Sequence, residues 1–569
     1  MTNSNIILET NISCEMRDGT ILYADVYRPD EPGRFPVLLT RLPYNKSDPF
    51  YSHRYLDTNR LVQHGYVIVI QDVRGRYASE GEFFPFENEA EDGYDTVEWA
   101  ASLPYSSGKV GMFGLSYYGF TQLIAAAEQP PSLTAIFPTM SPNDFQNDML
   151  FHDGAQKIAS LKTWTLESIV PDLLKRKYTS RQHYQDKLEY WAEAINNLES
   201  SFQEVDPNWD LLRDLNVADF YADLLNRSTN NPTWNKSKIN HLDIKVPAFH
   251  LAGWYDNFLK PTIENFIRLK KTSNSPHKLM IGPWTHGNFS DTIGDLNFGM
   301  QASEGFLKGK EDLTSLHLRW FDTWLKGKLT GIEVEPPISI FVMGINEWRD
   351  EYEWPLKRTK YTHYYFHSNG YANSRYGDGT LSMTEPESEL PDTYKHNPNN
   401  PVPTQGGQTL YRGIQTSGPK NQNLIEERQD MLIFTSMQLE EPVEVTGPIK
   451  VVLWATTDAE DIDFTAKLVD VHPNGDAYNL TDGIIRAKHW HDSMCENKFI
   501  SEITRYEIDL WSTSNVFLPG HKIRVEIASS NYPHFDVNQQ TGSTSQATQI
   551  IFHDKSYPSH ILLPIIPKL

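Results

Sequence analysis

The chain has 569 residues, of which 39% are hydrophobic, 22% charged and 12% aromatic, the composition of a folded protein and not of a disordered, collagenous or coiled-coil one. At roughly 150 residues per domain, two to four domains are expected. The 74 acidic against 51 basic side chains leave a net charge of −23, which repels phosphate backbones and anionic lipid, so nucleic-acid and membrane partners are disfavoured and an acidic, solubilising surface is the plain reading.

Between residues 20 and 145 short apolar runs alternate with helical patterns. PVLLTRLPY (36–44) and GYVIVIQDVRG (65–75) read as buried strands. ENEAEDGYDTVEWAAS (87–102) has an acid-rich start followed by Val97, Ala100 and Ala101 at helical spacing. KVGMFGLSYYG then gives a strand and a sharp turn, FTQLIAAAEQP a helix stopped by Pro130 and Pro131, and LTAIFPTMS (133–141) another strand. This alternation predicts an α/β fold with a parallel sheet covered on both faces. From 145 to 240 the strand signal disappears. YQDKLEYWAEAINNLES (184–200) places Leu188, Trp191, Ala192, Ile195 and Leu198 on one helical face, so this segment reads as a helical cap insertion. VPAFHLAGWYD (246–256) and HKLMIGPWTHG (277–287) resume the buried-strand pattern, with a helix near Ile263, Phe266 and Ile267 between them. LTSLHLRWFDTWLKG (313–327) is an amphipathic helix that closes the unit. Beyond Pro336 and Pro337, runs from ISIFVMG to ATQIIFHD read as short strands of an all-β jelly roll with two sheets, and DTYKHNPNNPVPTQGG (392–407) as a long loop among them. The expected division is a catalytic α/β domain over 1–144 and 241–335, a cap over 145–240 and a β-sandwich over 336–569.

Gly111-Met112-Phe113-Gly114-Leu115-Ser116-Tyr117-Tyr118-Gly119 sets a serine in a glycine-flanked turn between strand and helix, the geometry that exposes a nucleophile and aims a helix N-terminus at a developing oxyanion. It departs from G-x-S-x-G, because Tyr118 stands at +2 and glycine comes at +3. A lone glycine-bracketed serine is usually a turn residue. Downstream, however, two strand ends supply Asp256 and His286, in the chain order Ser…Asp…His that an α/β-hydrolase imposes. Side chains at the carboxyl ends of parallel strands collect at one sheet edge, so Ser116, Asp256 and His286 form a candidate triad.

Over nearly its whole length the sequence also resembles the cocaine-esterase/X-prolyl dipeptidyl-peptidase-like serine hydrolases. The likeness is carried by LPY at Tyr44, DVRGRYASEG (72–81), GLSYYG at Ser116, GWYD at Asp256 and GPWTHG at His286. It continues through PVPTQGG (401–407), DFTAKLVDVHPNGDA (463–477) and GHKIRVEIASSNYPHFD (520–536). The resemblance implies an α/β-hydrolase core, a helical cap and a C-terminal jelly roll. It implies Ser116 as nucleophile, His286 as base and Asp256 as its orienting acid, with the Tyr44 hydroxyl and the Tyr117 N–H as oxyanion hole, where one lost donor costs about 3 kcal/mol. It also places Trp164 and Phe258 in an aromatic acyl pocket, although ordinary packing accounts for either residue equally well.

The expected reaction is hydrolysis of small to medium carboxylic esters through an acyl-enzyme. Amide hydrolysis by an acylase or dipeptidyl peptidase is the alternative, and an inactive hydrolase fold that binds a ligand is the non-enzymatic one. Relatives that take α-amino-acid esters hold the ammonium with carboxylates, part of which follow the triad aspartate. Here Asn257, Phe258 and Leu259 follow, which disfavours that substrate. In DVRGRYASEG, Asp72, Arg74 and Gly75 are expected to fix a loop near the sheet edge by internal hydrogen bonds and a charge pair. His489 and His491 would point to opposite faces of a strand and complete no shell, so no metal is expected. Without a P-loop or a G-x-G-x-x-G after a strand, no nucleotide cofactor is expected either. Two cysteines, Cys14 and Cys495, without a C-x-x-C pattern, fit a reducing compartment. The N-terminus has no signal-like segment and no run is long enough to cross a bilayer, so a cytoplasmic protein is expected, with self-association left open.

Overall fold

The structure, a computed structural model, describes residues 5–198, 211–221, 237–410, 417–494, 501–539 and 546–567. Cys495, the start of the run KFISEITRYEIDL and parts of the cap segment lie outside the described residues.

The strands of the first half join in one sheet, here β1 Ile6–Glu15, β2 Ile21–Pro29, β3 Phe35–Leu42, β4 Val67–Asp72, β5 Ser106–Leu115, β6 Leu133–Thr139, β7 Ala248–Tyr255, β8 His277–Thr285, β9 Ile338–Val342 and β10 Glu347–Glu351. Their order is β1-β2-β4-β3-β5-β6-β7-β8-β9-β10. From β4 to β9 neighbouring strands run parallel, while β2 pairs antiparallel with β4 and with β1, and β10 with β9. β4, β7 and β8 are buried at every position, as strands covered on both faces must be, and this is why they read as uninterrupted apolar runs. The helices on the two faces form where the sequence places them. Glu89–Ser102 opens with Glu89, Glu91 and Asp92 against its N-terminal dipole. Leu313–Lys326 is capped by Asp312, whose carboxylate accepts from the Ser315 N–H at 2.7 Å, and ends at Gly327 with φ +67°.

The strand Ile338–Val342 was expected in the β-sandwich. It instead pairs parallel with β8, Leu279 opposite Ile338, and β10 follows as its antiparallel neighbour. Its fully apolar pattern suits a buried sheet in either setting, so periodicity could not choose between them. The cap segment contains the helices Ile158–Thr163, Val170–Lys177 and Arg181–Asn196, and a two-residue ladder between Phe151–His152 and Ala155–Gln156. In Arg181–Asn196 the predicted face is present, but Leu188, Trp191, Ala192 and Ile195 are only half-buried.

In the last third, eleven strands among the described residues form one hydrogen-bonded network rather than two separate sheets. The joint is the long strand Val443–Thr457. One edge pairs with Thr504–Phe517, and the other first with His560–Ile565 and then with Ala547–Phe552. The segment expected as a loop from 392 begins with a strand, Asp392–His396, in which Asp392, Tyr394 and His396 alternate inward. Its five residues are too few for the alternation to stand out beside Asn and Pro. The all-β part grips the central sheet directly: Gln408 Nε2 donates to the Trp254 carbonyl at 3.3 Å, and the Tyr255 hydroxyl to the Asn479 carbonyl at 3.3 Å.

Candidate active site

The carboxyl edge of the parallel strands gathers the predicted side chains. Ser116 follows β5 and precedes the helix Tyr117–Ala127 with φ +63° and ψ −124°, a left-handed conformation that a non-glycine residue adopts only where its surroundings force it. The two glycines show what forces it. A Cβ on Gly114 would lie 2.3 Å from Cδ2 of Tyr118, and one on Gly119 would lie 2.9 Å from the Thr139 carbonyl. The bare Gly114 therefore accommodates the Tyr118 ring, and the glycine needed for close approach to β6 falls at +3. The Ser116 N–H donates to the Thr139 carbonyl at 2.9 Å, which ties the turn to that strand.

Asp256, at the end of β7, is fully buried, and its Oδ1 lies 2.7 Å from His286 Nδ1 just past β8. The Phe258 ring meets the imidazole edge-on at 5.4 Å. Ser116 and His286 line one cavity of about 300 Å³, together with Tyr44, Trp164 and Glu167. Tyr44 follows β3. Its hydroxyl accepts from Trp164 Nε1 at 3.0 Å in the cavity wall it shares with Ser116, and burial pushes the phenol up to about 12, so it stays a protonated donor. A narrower, largely apolar pocket also opens on Ser116, with Phe86, Tyr117, Met149, Trp164, Phe258 and Leu410 in its wall. The other six residues singled out from the sequence thus lie around Ser116.

Three features were not legible beforehand. Arg76 is fully buried and donates to the carbonyls of Pro43 at 2.9 Å, Ile169 at 3.0 Å and Ser168 at 2.9 Å. It clamps the Tyr44 loop to the cap, and only its place in DVRGRYASEG hinted at a role. Glu167 gives the cavity a carboxylate from the cap, so the absence of acids after Asp256 does not by itself exclude ammonium-bearing substrates. Lys157 lies buried behind Asn257.

The DVRGRYASEG loop is held by internal hydrogen bonds, Ser79 Oγ donating to the Asp72 carbonyl at 2.6 Å and the Gly75 N–H to the Glu80 carbonyl at 2.8 Å, whereas the ion-pair partners lie outside the segment. Arg74 pairs with Asp92 at 2.6 Å and Asp18 at 2.7 Å, and Asp72 accepts from the Lys46 N–H at 2.8 Å. His489 and His491 sit on a helix, Ala487–Met494, not on a strand. Their i, i+2 spacing still separates them around its axis. Among the described residues Asp470, His472 and His521 come close enough to suggest a metal. His521 Nδ1 and Asp470 Oδ1, however, are engaged with each other at 2.8 Å.

A parallel sheet in this order, with a serine on a positive-φ elbow and a hydrogen-bonded Asp–His pair at its carboxyl edge, defines an α/β-hydrolase, the class of serine acyl hydrolases. Comparison with known proteins narrows this. Residues 18–288 match the X-Pro dipeptidyl-peptidase (S15) family, and residues 330–562 the X-Pro dipeptidyl-peptidase C-terminal non-catalytic domain. The chain is 36% identical to the cocaine esterase of Rhodococcus sp. (strain MB1 Bresler), covering 100% of both. Among solved structures it superposes on an alpha-amino acid ester hydrolase with a TM-score of 0.77 at 22% identity, over 99% of this chain and 97% of that one. An aminopeptidase from a marine sediment archaeon, Thaumarchaeota archaeon, gives 0.75 at 22% identity over the same shares. At that identity the structural likeness carries the fold alone. The chain belongs to the S15 family and is a serine ester hydrolase. Among the described residues no helix is long and apolar enough to cross a membrane.

Proposed function

We propose that Ser116 attacks the carbonyl of a small to medium carboxylic ester while His286 takes its proton. Asp256 holds the imidazole in the tautomer whose Nε2 accepts that proton. The Tyr44 hydroxyl and the Tyr117 N–H receive the oxyanion. His286 then protonates the departing alcohol, water enters along the same route, and the carboxylic acid leaves. The observation that carries this reading is the Asp256–His286 bond at 2.7 Å beside a cavity that also holds Ser116 and Tyr44. Phe258 and Trp164, with Phe86 and Met149, supply an apolar or aromatic acyl pocket.

Amide hydrolysis remains a second reading, because the family that matches residues 18–288 is described as a dipeptidyl peptidase. Labelling with a fluorophosphonate tests the nucleophile. Ser116 is expected to be modified, and Ser116→Ala to lose both label and turnover; an active Ser116→Ala enzyme would end the proposal. A series of p-nitrophenyl esters, amino-acid esters included because of Glu167, set against aminoacyl p-nitroanilides, separates the two enzyme readings. We further read residues 1–144 and 241–352 as the catalytic domain, 145–240 as the cap and the remainder as the β domain. The cysteine usage supports a cytoplasmic location.

A further inference from the structure

Behind the Asp256–His286 pair lies a polar cavity of about 460 Å³, bounded by the cap, the start of the helix Leu259–Thr272 and Trp511 of the all-β part. Lys157 is in its wall and only 1% exposed. A buried ammonium ordinarily sits against a carboxylate. Here Nζ donates to two main-chain carbonyls instead, Asp148 at 2.8 Å and Asn257 at 3.2 Å. Asn257 immediately follows the triad aspartate. Asp256 is itself buried with one oxygen on His286, and its Oδ2 accepts nothing from the described residues. A carboxylate buried in that state needs positive charge nearby, and the Lys157 ammonium interacts electrostatically with it. Lys157 Nζ also stands 5.8 Å from the centre of the Phe258 ring, which packs on His286, and 5.4 Å from that of Trp511.

We propose that Lys157 is a positioning residue for the catalytic pair. It pins the Asn257 carbonyl, and with it the backbone of Asp256, and it supplies the charge against which the Asp256 carboxylate is buried. This rests on the triad assignment above. The charged and titratable groups that face Lys157 are Asp148 and His152 from the cap segment, Asp256 and Lys260 from β7 and its following helix, and Asp482 and His534 from the all-β part. Burial draws the Lys157 ammonium below its ordinary range, against the pull of Asp148, Asp256 and Asp482. Its charge is therefore lost at a lower pH than that of a surface lysine.

The test is kcat and KM for a p-nitrophenyl ester from pH 5 to 10, with Tm, for wild type, Lys157→Met, Lys157→Arg and Ser116→Ala. Lys157→Met is expected to lower kcat about tenfold or more while KM stays within about threefold. Its acidic limb should move to higher pH, because removing a positive charge raises the proton affinity of the Asp256–His286 pair. Lys157→Arg keeps a charge that does not titrate, so it should recover most of kcat and move the basic limb upward. A Lys157→Met enzyme with lowered Tm but wild-type kcat and pH profile overturns the proposal. Should that variant fail to fold, a basic limb unmoved in Lys157→Arg overturns it equally. Ser116→Ala keeps the two readings apart, since residual turnover there would sink the triad whatever Lys157 does.

Discussion

Tyr44 illustrates how one side chain acquires a task from its neighbours. Trp164 Nε1–H donates into the phenol oxygen, so the O–H proton is left to donate into the cavity shared with Ser116, and the stacked ring of Tyr51, at 4.9 Å and 20°, holds the phenol in place. On the proposed mechanism Tyr44→Phe removes a donor felt mainly in the transition state, and kcat should fall about 100-fold with KM little changed. Trp164→Phe removes only the bond that orients it and should cost roughly fivefold, the worth of one ordinary hydrogen bond. Steady-state kinetics on one ester decides both, and a Tyr44→Phe enzyme at wild-type kcat removes Tyr44 from the oxyanion hole. From sequence, Tyr44 was a strand-end tyrosine until the family resemblance gave it a role. No local pattern encodes that a tryptophan 120 residues onward will bond it.

At the scale of the element, the serine elbow is strand, turn and helix held by two glycines with different duties. Gly114→Ala puts a methyl into the Tyr118 ring and should swing that ring, moving Ser116. Gly119→Val drives its side chain at the Thr139 carbonyl and Ser141, an overpacking of about 1–3 kcal/mol. Both variants should label more slowly with a fluorophosphonate, with Tm lowered more by Gly119→Val; unchanged labelling in Gly114→Ala would show that Tyr118 can move at no cost to the nucleophile. The strands themselves were legible, because β3, β4, β7 and β8 are buried on both faces and leave continuous apolar runs. Where the pattern fell short, the cause was sheet partnership. Ile338–Val342 carries the same signal whether it joins the central sheet or the sandwich, and His489-Trp490-His491 is too short a run for its helical period to register.

The whole molecule buries many histidines in neutral form. Desolvation draws His317 down to about 3, His152 and His277 to about 4, and His250 and His534 well below the ordinary range. His553, although buried, is raised by Asp392 and Glu389 and works the other way. In the unfolded chain each lowered group would take up a proton below about 6.5. The stability they contribute is thus complete above that pH and declines as pH falls toward 4, by about 1.4 kcal/mol per pH unit for each group. Asp72, Asp148 and Glu526, raised by burial to about 6, 7 and 7, work the other way, so the histidine contribution is isolated by His317→Asn, whose Tm should fall less between pH 7 and pH 5 than that of wild type; an equal fall would contradict the burial of that ring as a neutral species. The all-β part belongs to this scale too. Through Gln408 and Asn479 it holds the very strand, β7, that ends in Asp256, so a chain cut after residue 352 should emerge aggregated on size-exclusion chromatography. A monodisperse, active fragment would argue that the catalytic part folds alone.

Read alone, the sequence determined the α/β alternation, the order of serine, acid and histidine, and the acidic surface, because these follow from apolar period, turn chemistry and charge along a short stretch of chain. Only the tertiary structure decided which strands share a sheet, that Arg76 ties the Tyr44 loop to the cap, and that Lys157 lies behind Asp256. Those facts depend on side chains from distant segments meeting in a dry interior, where a buried charge is tolerated only with partners that no local pattern names.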